Sequence, residues 1–498
     1  MTPVDWFILA LYGLSTLGMG WWVGRRQENT QEYYTGSGKM NPLLIGVSLF
    51  ATLLSTITYL ALPGEVLGKG PVYLANFLTY PLIFWVVTGV LLPVYMRHRV
   101  TSAYELLEER LGLPLRLLAV AMFLALRLVW MGLLVLLTSK AMTTVMAIDD
   151  KWVPLVALAT GIIAVGYTSV GGLRAVVITD LMQTLLLYGG ALLVIGTVTV
   201  KMGGFSWFPT EWQSGVWDSQ PIFSWDVSER VTVFGSMVSV FLWMVATSAG
   251  DQVTVQRFMA TEDVKAAKRA VAMQLSIGAV VGLTLGLVGV ALLGFFQAHP
   301  ELLPEGKTLA ESADKIFPLF IANHLPPIVR GLVIAGLFAA AMSSIDSGVN
   351  SITAVVSTDL LARFGRAPKT DEAQVLFSRK LAFGIGLTVV VVSTFMDRIP
   401  GNFMTVTNKS VNLLTVPIAL LFVFALFMKS TSPIGAWIGT LSSAIAAVLV
   451  AFSGAIFGMD PVTGYDPVSF QWIPLVALIV GLTMGWLGSR LFPRKAAL

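Results

Sequence analysis

The chain has 498 residues, of which 56% are hydrophobic and 12% charged, with a formal net charge of +4 and no cysteine. Soluble domains carry about 25% charged residues, so this composition is that of a polytopic membrane protein. The basic excess is dispersed over short loops, which excludes a nucleic-acid footprint, and the lack of cysteine excludes disulfides and thiolate metal sites.

About 20 apolar residues cross a bilayer. On that measure thirteen spans are predicted, at approximately 4–24, 43–67, 72–96, 114–142, 152–170, 176–200, 229–250, 270–296, 328–360, 380–398, 401–428, 434–456 and 470–491. The first has no basic n-region and lacks a clear A-x-A site, so it reads as a retained helix and not a signal peptide. No linker is long enough for a soluble domain, and residues 1–498 read as one membrane domain. Lysine and arginine concentrate in alternate loops, around Arg25, Arg26 and Lys39, Arg97 to Arg116, Arg174, Arg257 to Arg269, Arg363 to Lys380, and Arg490, Arg494 and Lys495. That side is predicted to be cytoplasmic, with the N-terminus outside and the C-terminus inside.

Polar residues within the spans carry the functional information. In the second span, Phe50 to Thr58 holds hydroxyls at Thr52, Ser55, Thr56 and Thr58. They either bond their own helix or mark a helix that breaks at depth and turns carbonyls toward a cavity. Glu65 follows near the outer end. Arg127 lies about 20 Å along the fourth span, too deep to snorkel easily, so it is either in an ion pair or in contact with an anionic solute. Asp180 sits one turn inside the sixth span, as a helix-dipole partner or a cation ligand. Residues 203–226 are rich in Trp and Phe, either an interfacial belt or an outer lid, and the segment 297–327 is either a second lid or a simple surface helix. Asp251 to Arg257 closes the seventh span with charges and amides, either an ordinary polar helix end or an inner gate built of hydrogen bonds. Lys409, in the eleventh span, needs a partner or an interface.

The most informative stretch is Phe338 to Ser351, FAAAMSSIDSGVNS. Ala340, Ser343, Ser344 and Ser347 fall at i, i+3, i+4 and i+7 and form one stripe, with Asp346 about 60° to its side. Small-residue stripes often only pack helices. A carboxylate beside hydroxyls instead suits a small alkali or alkaline-earth cation. Asp180 and Asp346 facing one another would need a cation between them, or a proton on one. His98, His299 and His324 lie on separate loops, and no H-E-x-x-H spacing occurs.

At these residues the chain resembles the sodium:solute symporter family, which includes sodium/glucose cotransporters and bacterial sialic acid, proline and pantothenate carriers. The motifs are Tyr167 to Ala175 with Thr179-Asp180, Asp251 to Arg257, Ala339 to Ser351, and Phe50 to Thr58 with Val100 to Glu105. They occur in the family's order over about residues 45–430. The resemblance implies an all-α, LeuT-type inverted five-plus-five helix repeat, with one extra N-terminal and two extra C-terminal helices. The extra helix is 4–24, the repeats are 43–200 and 229–428, and the last two helices span 434–491. The second and seventh spans would be broken.

The resemblance implies a main sodium site at Ala51, Leu54, Ala340, Ser343 and Ser344, and a second cation site around Asp180 with Asp346 and Ser347. Asp346 stands where sialic acid carriers have a serine. Solute positions would be Thr52, Leu53, Ser55 and Thr58, with Phe77, Arg127, Trp130, Trp243, Thr247 and Ser248. Sialic acid carriers place a hydroxyl, a glutamine and an arginine at the positions of Leu53, Phe77 and Trp130. The expected function is sodium-driven uptake of a small polar solute (a sugar, sialic acid or an organic carboxylate) by alternating access in a bacterial inner membrane, using one sodium ion or two. Proton coupling through Asp180 and Asp346 is the alternative. A solute sensor would need a signalling domain, and the chain ends within seven residues of its last predicted span. No nucleophile–base pair argues for an enzyme, and no obligatory protein partner is evident.

Overall fold

The computed structural model describes all residues except 26, 28, 220, 304–305, 307, 396–402, 461–464 and 494–498. Arg26, Arg494 and Lys495 of the basic set, and the adjoining ends of the tenth and eleventh predicted spans, lie outside the described residues. The described residues are helical, without a strand.

Helix α1 (Pro3–Gly24) opens on a capping box in which Thr2 and Asp5 satisfy each other's exposed amides. Asn41 caps α2 (Pro42–Leu53), and Pro42 occupies the first turn, where no amide is needed. α3 (Thr56–Lys69) continues α2 at a bend of 70°. Then come α4 (Pro71–His98), α5 (Leu113–Met146) and α6 (Val153–Lys201). α7 (Val233–Gly250) is followed directly by α8 (Gln252–Met259), and α9 (Val264–Ala298) starts on an Asp263 cap. An amphipathic helix, α10 (Leu309–His324), precedes α11 (Val329–Val355). α12 (Asp371–Ser393), α13 (Phe403–Phe422), α14 (Pro433–Ala451) and α15 (Ile473–Leu491) complete the bundle.

Among the described residues, eleven helices are long and apolar enough to cross a membrane, and the bent pair α2–α3 makes a twelfth span. α6 would be about 74 Å long if straight, more than twice the bilayer core. It is interrupted at Gly172 (φ 55°, ψ −161°) and so supplies two passes. The thirteen predicted spans follow. Gly172 is in a region of backbone space open essentially to glycine, and a Cβ there would lie 2.6 Å from the Tyr33 carbonyl oxygen. Gly172→Ala is expected to lower the thermal midpoint of the purified protein by several degrees. Gly189→Ala, with nothing within 4 Å of its Cβ, should leave it near the parent value.

α11 is the centre of the bundle: 89% of its apolar window is buried, against 28% for α1 and 33% for α12. A helix enclosed by others on all sides can carry Ser343, Ser344, Asp346, Ser347 and Asn350 without exposing them to lipid. The peripheral helices turn Leu14, Trp85, Leu192 and Leu441 outward, as a hydrocarbon solvent requires. The two breaks match. Leu54 (φ −91°, ψ 107°) ends α2 and Asp251 (φ −90°, ψ 118°) ends α7, each in extended backbone at the first helix of its half. Ser55 and Asp251 then cap the helices that restart.

Candidate functional site

In a continuous helix the Ser55 amide would bond the Ala51 carbonyl, and the Thr58 amide the Leu54 carbonyl. At the break the Thr58 amide donates instead to Ser55 Oγ, at 3.2 Å. The carbonyls at the end of α2 are thereby released, and the hydroxyl stripe of α11 meets them. Ser343 Oγ donates toward the carbonyls of Ala51 and Ala340, both at 3.0 Å. Ser344 Oγ is 3.4 Å from the Thr52 carbonyl. Ala51, Leu54, Ala340 and Ser343 line a void of about 10 Å3. This donor set is hard oxygen without a carboxylate, which fits a monovalent cation. Among the described residues, no group of three His, Cys, Asp or Glu side chains is placed to hold a metal.

The second break frees carbonyls too, but tyrosines take them. Tyr95 OH donates to the Ala249 carbonyl, and Tyr104 OH to that of Gly250 at 3.1 Å. Asp251 Oδ1 accepts the Val253 amide at 3.0 Å. The two breaks share a backbone shape, yet these donors fill the second one, and the first opens on a void.

Asp180 and Asp346 are both fully buried, and the cation between them belongs to the protein. Arg257 of α8 lies 3.6 Å from Asp180 Oδ2 and donates to Ser48 Oγ at 2.7 Å and Ser347 Oγ at 2.5 Å. Ser48 Oγ donates to Asp180 Oδ2 at 2.5 Å. Ser347 Oγ is 3.1 Å from Asp346 Oδ1 and 2.9 Å from Thr52 Oγ1. Tyr167 OH donates to Asp346 Oδ2, and Gln183 Nε2 reaches Tyr167 OH at 3.2 Å. Asp180 Oδ1 and Gln183 Oε1 are buried without a hydrogen-bond partner. Two carboxylates and one guanidinium leave room for one further positive charge, a cation or a proton.

Beside the α2–α3 break is a central cavity of about 180 Å3, lined by Leu53, Ser55, Thr58, Phe77, Trp130 and Trp243, among others. A smaller cavity of about 40 Å3 adjoins Thr52, Leu53, Arg127, Trp130, Trp243, Thr247 and Asp251. Arg127 is in an ion pair with Asp251 Oδ2, so one carboxylate both caps α8 and holds the deep guanidinium. Ser248 Oγ donates to the Met244 carbonyl of its own helix at 2.8 Å and lines neither cavity. Lys409 pairs with Asp466 at 2.5 Å. The residues not anticipated are Asn76, Gln274, Thr407, Asn408 and Asn412 in the central cavity, and Ser48 in the aspartate cluster. Gln274, Asn408 and Asn412 are amides at membrane depth, the same signal that drew attention to Ser55 and Thr58.

Away from the basic loops, Glu65 is buried and forms two bonds with Arg230, at 2.8 and 2.5 Å, with Lys69 at 3.9 Å. The Trp-rich segment divides. Trp217 is buried and bonds the Leu67 carbonyl of α3 at 3.0 Å, while Trp225 is 79% exposed. One part packs on the bundle and the other leaves its rings exposed.

A polytopic bundle with a helix broken at depth in each half, and polar cavities at the breaks, is a LeuT-type secondary transporter. The model of the sodium:solute symporter family matches residues 33–443, and the chain belongs to that family of sodium-coupled solute symporters. It is 29% identical to a sodium/sialic acid symporter, SiaT, of Proteus mirabilis, over 91% of this chain and 90% of that one. It is 27% identical to a sodium-dependent multivitamin transporter of Oryctolagus cuniculus, over 92% and 71%. Among solved structures, a substrate-bound, outward-open Na+-coupled sialic acid symporter superposes with a TM-score of 0.85, at 26% identity over 99% of both chains. Mhp1, a nucleobase-cation symporter, shares the fold at 11% identity, with a TM-score of 0.50 over 95% of this chain and 97% of that one.

Proposed function

We propose that the chain takes up a small polar organic solute (a sugar, sialic acid or another organic carboxylate) through the central cavity, driven by sodium bound at Ala51, Leu54, Ala340, Ser343 and Ser344. The observation that carries this reading is the meeting of released α2 carbonyls with the Ser343 and Ser344 hydroxyls around a small void. Sodium there ties the first helix of one half, 43–200, to the third helix of the other, 229–428. Its loss loosens α2 from α11, which lets one half rock against the other. Sodium favours the outward-open arrangement with the solute site intact, and solute binding closes the outer side before the bundle rocks inward, so each ligand distinguishes the two states. Thr52, Leu53, Ser55, Thr58, Phe77, Trp130 and Trp243 face the solute. The Arg127–Asp251 pair closes the path toward the basic side, which we read as cytoplasmic, with the N-terminus outside. The setting is a bacterial inner membrane.

A second cation site is assigned to Asp180, Asp346 and Ser347. The specific support for a proton there is that two carboxylates are balanced by only one guanidinium. Uptake into proteoliposomes under an imposed sodium gradient, over labelled sugars, sialic acid, carboxylates and amino acids, tests the coupling. Asp180→Ala is expected to reduce uptake at least tenfold. If the second ion is a proton, the pH dependence of sodium-driven uptake flattens in this variant, because one carboxylate and one guanidinium remain. Uptake indifferent to sodium and driven by a pH gradient alone overturns the sodium assignment.

A further inference from the structure

We infer that the solute is electrically neutral: a compact ring with hydroxyl or amide edges and one flat apolar face. This rests on the symport reading above and narrows its solute. No described residue lining the central cavity is Asp, Glu, Lys, Arg or His. Its walls are flat rings, Tyr73, Phe77, Tyr80, Trp130 and Trp243, against which the apolar face of a ring stacks. Its polar atoms are neutral. Trp243 Nε1, Thr407 Oγ1 and Asn412 Oδ1 are buried there without a protein partner.

Those three atoms are a donor, a hydroxyl that can do either, and an acceptor. A hydroxyl or amide solute answers all three, because it gives and accepts hydrogen bonds. A carboxylate only accepts, and it would leave Asn412 Oδ1 facing a like charge. The Arg127 guanidinium lies in the adjoining smaller cavity and is bound to Asp251. An anionic solute reaching it would crowd a second carboxylate onto one buried guanidinium. The start of α3 at Ser55 offers only the partial positive charge of a helix end, and the Thr58 amide there already donates to Ser55 Oγ. That polarity suits a hydroxyl or carbonyl oxygen. The volume, about 180 Å3, is below the roughly 300 Å3 at which drug-sized pockets begin, and it suits a single ring. The family holds relatives named for an acid, sialic acid among them, and an uncharged solute sets this chain apart from those.

The test is thermal stability of the purified full-length protein, in sodium chloride and in choline chloride, with matched pairs. The pairs are glucose and glucuronate, galactose and galacturonate, N-acetylmannosamine and sialic acid, and uracil and orotate. At least one neutral member is expected to raise the midpoint in sodium by several degrees, and its acidic partner by less than a fifth as much. A carboxylate that stabilises as well as its neutral partner overturns the proposal. So does a panel in which no neutral member shifts the midpoint. Failure of the symport reading is distinct: the neutral solute then stabilises equally in sodium and in choline, and the inference of neutrality stands.

Discussion

Ser343→Ala raises the sodium concentration for half-maximal uptake by roughly tenfold or more, which corresponds to about 1.4 kcal/mol of lost cation binding. The hydroxyl is one of five oxygens assigned to the ion, and it is 1% exposed, so water cannot easily replace it. In the structure it bridges the Ala51 and Ala340 carbonyls. The fold should survive, because each such bond contributes only about 1 kcal/mol net and alanine keeps the Cβ. Thr353→Ala on the same helix is the control. Its hydroxyl bonds the Val349 carbonyl of its own turn at 2.7 Å, and its loss should leave the sodium response unchanged. Sodium titrations of uptake and of the thermal midpoint measure both. An unaltered half-saturation in Ser343→Ala would sink the assignment of the main site.

Asp251→Asn and Arg127→Gln, made singly, each reduce uptake to a few per cent and destabilise the protein by about 3–5 kcal/mol. Arg127 and Asp251 are each 9% exposed, so removing either leaves the other charge buried without its counterion. Asp251→Asn keeps an oxygen that can accept the Val253 amide, so its effect reports the lost charge. The double variant Arg127→Gln with Asp251→Asn removes both charges at once and recovers most of the stability. Its uptake stays impaired, because the pair that closes the path is gone. Denaturation midpoints and uptake of the three variants form a cycle that isolates the pair. Single variants with the parent's stability and uptake would mean that the pair holds nothing closed.

Much of the fold was legible in the residues themselves. The number of passes follows from apolar length, and the first break from hydroxyls gathered at membrane depth in Phe50 to Thr58. The stripe at Ala340, Ser343, Ser344 and Ser347 follows from helical spacing, and α11 carries it inside the bundle. The pairing of charges was less legible. The sequence posed the alternatives for Arg127, an ion pair or an anionic solute, and could not choose. Its partner is 124 residues away in the chain. The amides Asn408 and Asn412 do not stand out in the sequence, because single polar residues in a long apolar run resemble ordinary helix-packing groups.

By itself, then, the sequence determined a thirteen-pass membrane protein of the sodium:solute symporter family, which residues share a helix face, and that two buried carboxylates required a positive charge. The tertiary structure decided that Arg257 supplies that charge. It also decided that Tyr95 and Tyr104 occupy the carbonyls of the second break, and that Asp251 holds Arg127. The reason is physical. Burial and periodicity are properties of a segment and can be read locally. A charge or a freed carbonyl is satisfied by whatever other helices bring within about 3 Å of it, and that depends on how distant segments pack.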